Sequence, residues 1–353
     1  MQLVKYLILP LSLIFGMITL LRNKLYDWNI LKSVKFNLPV ISVGNLNVGG
    51  TGKTPLTEYL IRILINDYKI AVLSRGYKRK TKGYLLARHS HSYKEIGDEA
   101  KQVKNKFPEI QFAVDEKRVS GIKKLLSGDD VPEVIILDDA FQHRSLKPGL
   151  SVLLTDYYNM FTTDYLIPSG GLREFPSGAD RADIIIVTKC PAILSPNMKR
   201  SIYDDIQPLP HQSLLFSTIA YSIPLPFNDV CINIADKNNT ILLIAGIANI
   251  SPLEQYLKRY SNKLITKTFS DHHCYTVEDW REIKNNFESI YSENKFICTT
   301  EKDIVKLYTP EIKELVKSLP VYYIPIEIKF LDDDELLFNK LIYDYVGKNK
   351  TNS

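Results

Sequence analysis

The sequence predicts an α/β protein: a mostly parallel sheet with helices on both faces, a second and smaller α/β domain, and an apolar N-terminal helix. Three observations carry this. Short, continuously apolar runs alternate with helix-length segments, the pattern of strands buried on both faces. One of those runs leads through a glycine-rich loop into a helix. The chain has 353 residues, more than the roughly 100–200 of one ordinary domain. Hydrophobic residues make up 45% and charged residues 24%, which excludes a largely disordered, collagen-like or multi-span membrane chain.

The elements follow in order. Tyr6 to Leu21 contains no charged residue. As a helix this stretch reaches about 24 Å, short of the ~30 Å hydrocarbon core of a bilayer, and Pro10 and Gly16 weaken it. A cleaved signal peptide fits Lys5 and the apolar run but lacks a small-x-small cleavage site. A buried core helix is the plain alternative. The reading adopted is a helix dipping into one leaflet, because Leu25, Trp28, Leu31 and Val34 continue an apolar face beside Arg22, Lys24, Lys32 and Lys35. This segment is assigned residues 1–35.

Residues 36–210 read as the first α/β domain. Its strands are expected at Pro39–Val43, Ile70–Ser74, Val134–Leu137, Ser151–Leu154 and Ile184–Thr188, and its first helix at Lys53–Ile65, with Pro55 tolerated in the first turn. Pro208, Pro210, Pro224 and Pro226 punctuate the next stretch, which holds one β-like run, Leu214–Tyr221. Residues 211–238 are therefore read as a linker. Residues 239–347 read as the second domain, with strands at Thr240–Ala245, Leu264–Phe269, Lys295–Thr299 and Val321–Ile328. Its helices are expected at Pro252–Tyr260, Val277–Ser292 and Asp333–Tyr345. Residues 348–353 read as a frayed tail.

The charge balance, 45 Lys+Arg against 40 Asp+Glu for a net +5, calls for no nucleic-acid partner. Its distribution says more. Residues 1–35 hold five bases and one acid, and residues 75–106 hold ten bases and three acids. Two basic segments, one beside the apolar N-terminus, suit an anionic ligand or a membrane surface. Cys190, Cys231, Cys274 and Cys298 form no CxxC pair and no zinc-type cluster, as expected of a reduced cytosolic chain. No obligatory protein partner is evident.

The strongest local signal is Asn47, Val48, Gly49, Gly50, Thr51, Gly52, Lys53 and Thr54 between a strand and a helix. In such a loop the glycines let backbone N–H groups cradle phosphates at a helix N-terminus. Lys53 would reach the β- and γ-phosphates of a nucleotide, and Thr54 would ligate Mg²⁺. Val134-Ile-Ile-Leu-Asp-Asp139 has the form of a strand ending in the partner acids: Asp138 for the metal shell, Asp139 to orient water, metal or nucleophile. The fold class is thereby sharpened to a P-loop NTPase type. Val48 stands where partition-type ATPases carry lysine, and Thr188-Lys189-Cys190-Pro191 lacks the aspartate of a guanine reader. A P-loop regulatory or assembly NTPase acting as a nucleotide switch remains the alternative, and a nucleotide-binding module without turnover a third.

Gly44-Asn-Leu-Asn-Val-Gly-Gly-Thr-Gly-Lys-Thr-Pro55 resembles the P-loop of the tetraacyldisaccharide 4'-kinases. Further blocks similar to that family occur in its order: Leu73-Ser-Arg-Gly-Tyr77, Gly97-Asp-Glu99, Asp138-Asp-Ala-Phe-Gln-His-Arg144 and Gly170-Gly-Leu-Arg-Glu174. Ala245-Gly-Ile247, Phe269-Ser-Asp-His272 and Thr300-Glu-Lys-Asp303 complete the series. The resemblance runs from about 40 to 307. Ala140, Ala100, Phe175 and Ala248-Asn-Ile250 depart from the family pattern and remove turn-shaping residues, not reactive ones.

The resemblance implies transfer of the ATP γ-phosphoryl group to the 4'-hydroxyl of a lipid-linked glucosamine disaccharide, at the cytoplasmic face of the inner membrane, with the N-terminal helix associating with that membrane. Asp98 is then the expected base, with His272 of the second domain as its partner and Asp271 fixing the imidazole. Arg173 would clamp phosphate and Glu174 would support the metal shell, with a surface ion pair as the plain alternative for both. Arg75 would meet the substrate's 1-phosphate or anionic lipid, and His143 would pack behind the Asp138 strand as support.

Overall fold

A computed structural model describes residues 2–350 of the chain, and the side chains of residues 8–348. Its strands are β1 (Val40–Asn45), β2 (Ile70–Ser74), β3 (Leu85–Leu86), β4 (Gln111–Val114), β5 (Val134–Asp138), β6 (Leu150–Asp156), β7 (Ile184–Thr188), β8 (Ser213–Tyr221), β9 (Leu225–Pro226), β10 (Thr240–Ala245), β11 (Lys263–Thr268), β12 (Lys295–Thr300), β13 (Val321–Ile324) and β14 (Ile326–Phe330). Its α-helices are α1 (Gln2–Asp27), α2 (Lys53–Leu64), α3 (Tyr93–Ile96), α4 (Asp98–Lys106), α5 (Arg118–Leu126), α6 (Pro196–Ile206), α7 (Ser251–Leu257), α8 (Val277–Glu288), α9 (Glu301–Ile304), α10 (Pro310–Val316) and α11 (Asp334–Lys350).

Nine strands form one sheet in the order β14-β8-β7-β6-β1-β5-β2-β4-β3, and five form a second in the order β11-β10-β12-β13-β9. Pairing is parallel except at the edges, where β14 meets β8, β3 meets β4 and β9 meets β13 antiparallel. Strands β1, β2, β5 and β7 are buried along their whole length, as continuous apolar runs require.

The division of the chain differs from the sequence reading in three places. The run read as part of a linker is β8, paired in parallel with β7 inside the large sheet. The single strand expected at 321–328 is two: β13 belongs to the small sheet and β14 to the large one, with Pro325, which has no N–H for a ladder, between them. The chain thus returns to the first domain. Ile328, Phe330, Phe338, Ile342 and Val346 join the core built by α2 and the large sheet. The expected frayed tail is helical as far as Lys350; its last residues lie outside the described ones.

The N-terminal helix is longer than expected and then stops. Asn29 sits at φ 58, so Trp28, Leu31 and Val34 lie on a turn and not on a continued helical face; Val34 instead forms a β-bridge with Leu146. One side of α1 docks on the large domain. Ser12 Oγ donates to Ser169 Oγ at 2.9 Å, and Asn23 Nδ2 donates to Glu174 Oε2 at 2.6 Å. A Cβ on Gly16 would collide with Leu166 and stand 2.8 Å from Phe175. The other side leaves Leu11, Ile14, Met17, Ile18 and Leu21 exposed.

Candidate active site

The phosphate loop is shaped by its own chemistry. Gly49 and Gly52 hold φ of 114 and 88, values that L side chains rarely adopt, and a Cβ on Gly49 or Gly50 would meet open space. Gly52 ends the loop and opens α2. The far arm is braced from outside. Val48 N–H donates to the Gly171 carbonyl at 2.7 Å, and Asn47 Nδ2 donates to Asp164 Oδ2 at 2.7 Å. The Asn47 side chain therefore braces the loop from outside.

Strand β5 lies beside β1 and delivers Asp138 and Asp139 to the mouth of that loop. The two differ sharply. Asp138 is buried, and its Oδ1 has no hydrogen-bond partner. Burial, with Glu99 and Asp139 as negative neighbours, pushes its carboxyl up to about 7. Burial acts on Asp139 as well, but Lys53 at 3.7 Å and Arg173 at 2.9 Å hold it below its ordinary range. An unpartnered, desolvated carboxylate oxygen is a ligand that a divalent cation can take up, so Asp138 fits Mg²⁺, with Thr54 the other expected ligand.

Glu174 does not join them. Its carboxylate takes Arg181 at 2.8 and 2.9 Å, Asn23 at 2.6 Å and Gln142 at 3.2 Å. Both oxygens are satisfied by protein, so the expectation of a metal ligand is corrected: Glu174 latches α1 to the loops behind the site. Arg173, from the same block, faces the site through Asp139 and Gln142.

Three participants escaped the sequence reading. Arg118 is fully buried and donates to the carbonyls of Asp138 at 3.0 Å, Asp139 at 3.2 Å and Asp115 at 2.7 Å. Burial lowers its guanidinium to about 10, which leaves it charged at neutrality. Gln142 ties the Asn45 carbonyl to Glu174. Lys302 is described below. Gln142 and Lys302 stand in blocks that carry the resemblance but were given no role there, and Arg118 stands in none of them; each acts on groups distant in sequence. Behind Arg118, His143 is pushed down to about 4 by burial and by the charges of Arg118 and Arg75, so it is a neutral ring beside exposed Arg75.

The second constellation lies where α4 meets α9 and the loop after β11. Gly97, at φ 95, opens α4 with Asp98 in its first turn. His272, from the loop after β11, places Nδ1 2.7 Å from Asp98 Oδ2. Asp98 is buried; burial raises its carboxyl, but the His272 hydrogen bond and the charges of Lys302 and Lys306 outweigh this and hold it below its ordinary range. Asp271 was expected to orient the imidazole, yet its nearest oxygen is 3.9 Å from His272 Nε2. Lys302 does this instead, at 2.9 Å, while Asp271 holds Lys302 at 2.9 Å. Asp98 and His272 border a cavity of about 310 Å³ that Tyr77, Lys78, Tyr93 and Lys306 also line.

A glycine loop between strand and helix, facing paired aspartates at the end of the neighbouring strand, defines a P-loop NTPase-type fold. A family model for tetraacyldisaccharide-1-P 4'-kinases (LpxK) matches residues 4–344. The chain is 48% identical to a tetraacyldisaccharide 4'-kinase of Phocaeicola vulgatus, over 98% of this chain and 96% of that one. It is 43% identical to the Flavobacterium johnsoniae protein of the same name, over 99% of each. Among solved structures, LpxK from Aquifex aeolicus in complex with ATP superposes with a TM-score of 0.73, at 29% identity, covering 97% of this chain and 99% of that one. The chain belongs to the tetraacyldisaccharide 4'-kinase family.

Proposed function

We propose that this protein transfers the γ-phosphoryl group of ATP to the 4'-hydroxyl of a tetraacylated glucosamine disaccharide 1-phosphate, the lipid A precursor. The observation that carries the reading is the 2.7 Å contact between Asp98 and His272, a base and its partner drawn from two sheets and bordering a cavity. Phosphoryl transfer asks mainly for positioning and charge stabilisation. The P-loop backbone and Lys53 hold the nucleotide phosphates, with Arg173 beside them. Thr54 and Asp138 would hold Mg²⁺, which would neutralise charge developing on the phosphate oxygens. The acceptor hydroxyl gives its proton to Asp98 as its oxygen bonds to phosphorus and the bond to the ADP oxygen breaks. His272 donates to Asp98 throughout.

The apolar outer side of α1 and the basic residues Arg22, Lys24, Lys32 and Lys35 support a monotopic or peripheral seat on the cytoplasmic face of the inner membrane. Among the described residues, Ile8–Asp27 is the one helical stretch long and apolar enough to cross a bilayer. Its docked side, at Ser12, Gly16 and Asn23, favours lying in one leaflet. Arg75, exposed and close enough to His143 for its charge to act there, is assigned to the substrate's 1-phosphate or to anionic lipid.

Turnover with ATP and the disaccharide acceptor tests the reading. Asp98→Ala and His272→Ala are each expected to lower kcat on the order of 10²-fold or more, with KM for ATP nearly unchanged. Near-wild-type turnover in both would remove the base assignment. ATP hydrolysis indifferent to the acceptor would favour the nucleotide switch instead.

A further inference from the structure

We propose that Lys302 is a positioning residue: its ammonium, hydrogen-bonded to His272 Nε2, keeps that ring in the neutral Nδ1–H tautomer, so that the positive charge stands beyond the ring and Asp98 stays a better proton acceptor than it would be against an imidazolium. This rests on the reading of Asp98 as the base. The inference follows from donor and acceptor chemistry. An ionised carboxylate only accepts, so the His272 nitrogen 2.7 Å from Asp98 carries the proton. An ammonium only donates, so the nitrogen 2.9 Å from Lys302 Nζ presents its lone pair. A second proton on the ring would set N–H against N–H and one positive charge against another.

The surroundings make this control necessary. Asp98 from α4 and Asp271 from the histidine's own loop are held below the ordinary carboxylate range and favour an imidazolium, while burial raises the neighbouring Glu99 carboxyl. The edge of the Tyr77 ring packs on His272 with centroids 5.0 Å apart. Lys78 reaches the Asp271 carbonyl at 3.5 Å, and Lys306 stands 3.8 Å from Asp98 Oδ2. Lys302 is the cation that meets the ring nitrogen itself. An imidazolium paired with Asp98 would hold that carboxylate as a poor proton acceptor. A neutral imidazole orients it through one hydrogen bond without cancelling its charge. Lys302 is also held in place: Thr300 caps α9 by accepting from Asp303 N–H at 3.1 Å, and Asp271 Oδ1 accepts from Lys302 Nζ at 2.9 Å. During transfer the hydroxyl proton moves to Asp98, and His272 keeps its own.

The test is Lys302→Met in the full chain. Expected is a kcat about tenfold lower at pH 7 that climbs back toward wild type at alkaline pH, where the imidazole is neutral without help. KM for ATP should stay nearly fixed, and Lys302→Arg, which keeps a cationic donor, should restore much of the pH 7 rate. With ¹⁵N-labelled histidine, the unliganded wild type should show His272 as the Nδ1–H tautomer at pH 7, and Lys302→Met should show an imidazolium. A loss of kcat equal at all pH values, or an imidazolium in the wild type, would overturn the proposal. The wild-type spectrum decides even where Lys302→Met folds poorly. It is also independent of turnover: loss of the base assignment would appear in the Asp98→Ala and His272→Ala rates, not in this spectrum.

Discussion

Asp138 and Asp139 are chain neighbours with opposite electrostatics, and the difference has a measurable consequence. Asp138 is desolvated among negative neighbours; Asp139 is held by Lys53 and Arg173. Because the folded-state pKa of Asp138 is raised, to about 7, from an unfolded value near the reference of about 3.9, its neutral form favours the fold. That contribution is complete at low pH and is lost as pH rises toward and through 7. Asp138→Asn should therefore raise the melting temperature of the nucleotide- and metal-free protein, by an amount worth about 0.5–2 kcal/mol, and more at pH 8 than at pH 5. The same variant should lose Mg-ATP turnover. A melting temperature lowered at pH 8 would contradict the stated environment. At this scale the readable residues were those with a local rule: glycines at positive φ, a lysine and a threonine at a helix start, acids at a strand end. Glu174 was misread because nothing in its own neighbourhood announces Asn23 or Arg181.

The N-terminal helix separates two kinds of contact on one element. Its docked side is closely packed at Gly16, against Leu166 and Phe175. Phe175 is also one of the positions that departs from the family pattern. Gly16→Leu should displace the helix and lower stability by about 1–3 kcal/mol, read as a fall in melting temperature in detergent. Ile14→Asp with Ile18→Asp, on the exposed side, should leave that melting temperature nearly unchanged and cut flotation with anionic phospholipid vesicles several-fold. Flotation equal to wild type would remove the membrane seat. Apolar, charge-free composition made this helix legible. Its end did not follow from periodicity, because a three-residue repeat through Trp28, Leu31 and Val34 cannot register the left-handed turn at Asn29.

The two sheets are joined by more than one crossing of the chain. Lys106 of α4 bridges fully buried Glu58 of α2, at 2.7 Å, to Glu301 of the second sheet's α9, at 2.9 Å. Arg62 links the same Glu58 to Glu327 of β14. The Lys106 bridge connects the phosphate-loop helix to the body that carries His272 and Lys302, and the Arg62 pair ties the same helix to the returning strand β14 of its own sheet. The return of the chain through β14 and α11 predicts that residues 1–238 alone do not make a stable domain. Without Ile328, Phe330, Phe338, Ile342 and Val346 the core beside α2 is uncovered. That fragment should be insoluble or lack a cooperative thermal transition, whereas a soluble, cooperatively melting fragment would mean that the returning segment is dispensable.

The sequence by itself determined what local chemistry can determine. Strands were readable because they are apolar along their whole length, the phosphate loop because glycine, lysine and threonine have fixed duties there, and the family because its blocks keep their order. Tertiary structure alone decided which carboxylates remain open to a cation, which residue fixes the His272 ring, and that one apolar run near the C-terminus serves two sheets. The physical reason is common to all three. A side chain's charge state and hydrogen bonds are set by the groups that surround it in space, and Asn23, Lys302 and Pro325 reach those positions only when the chain is folded.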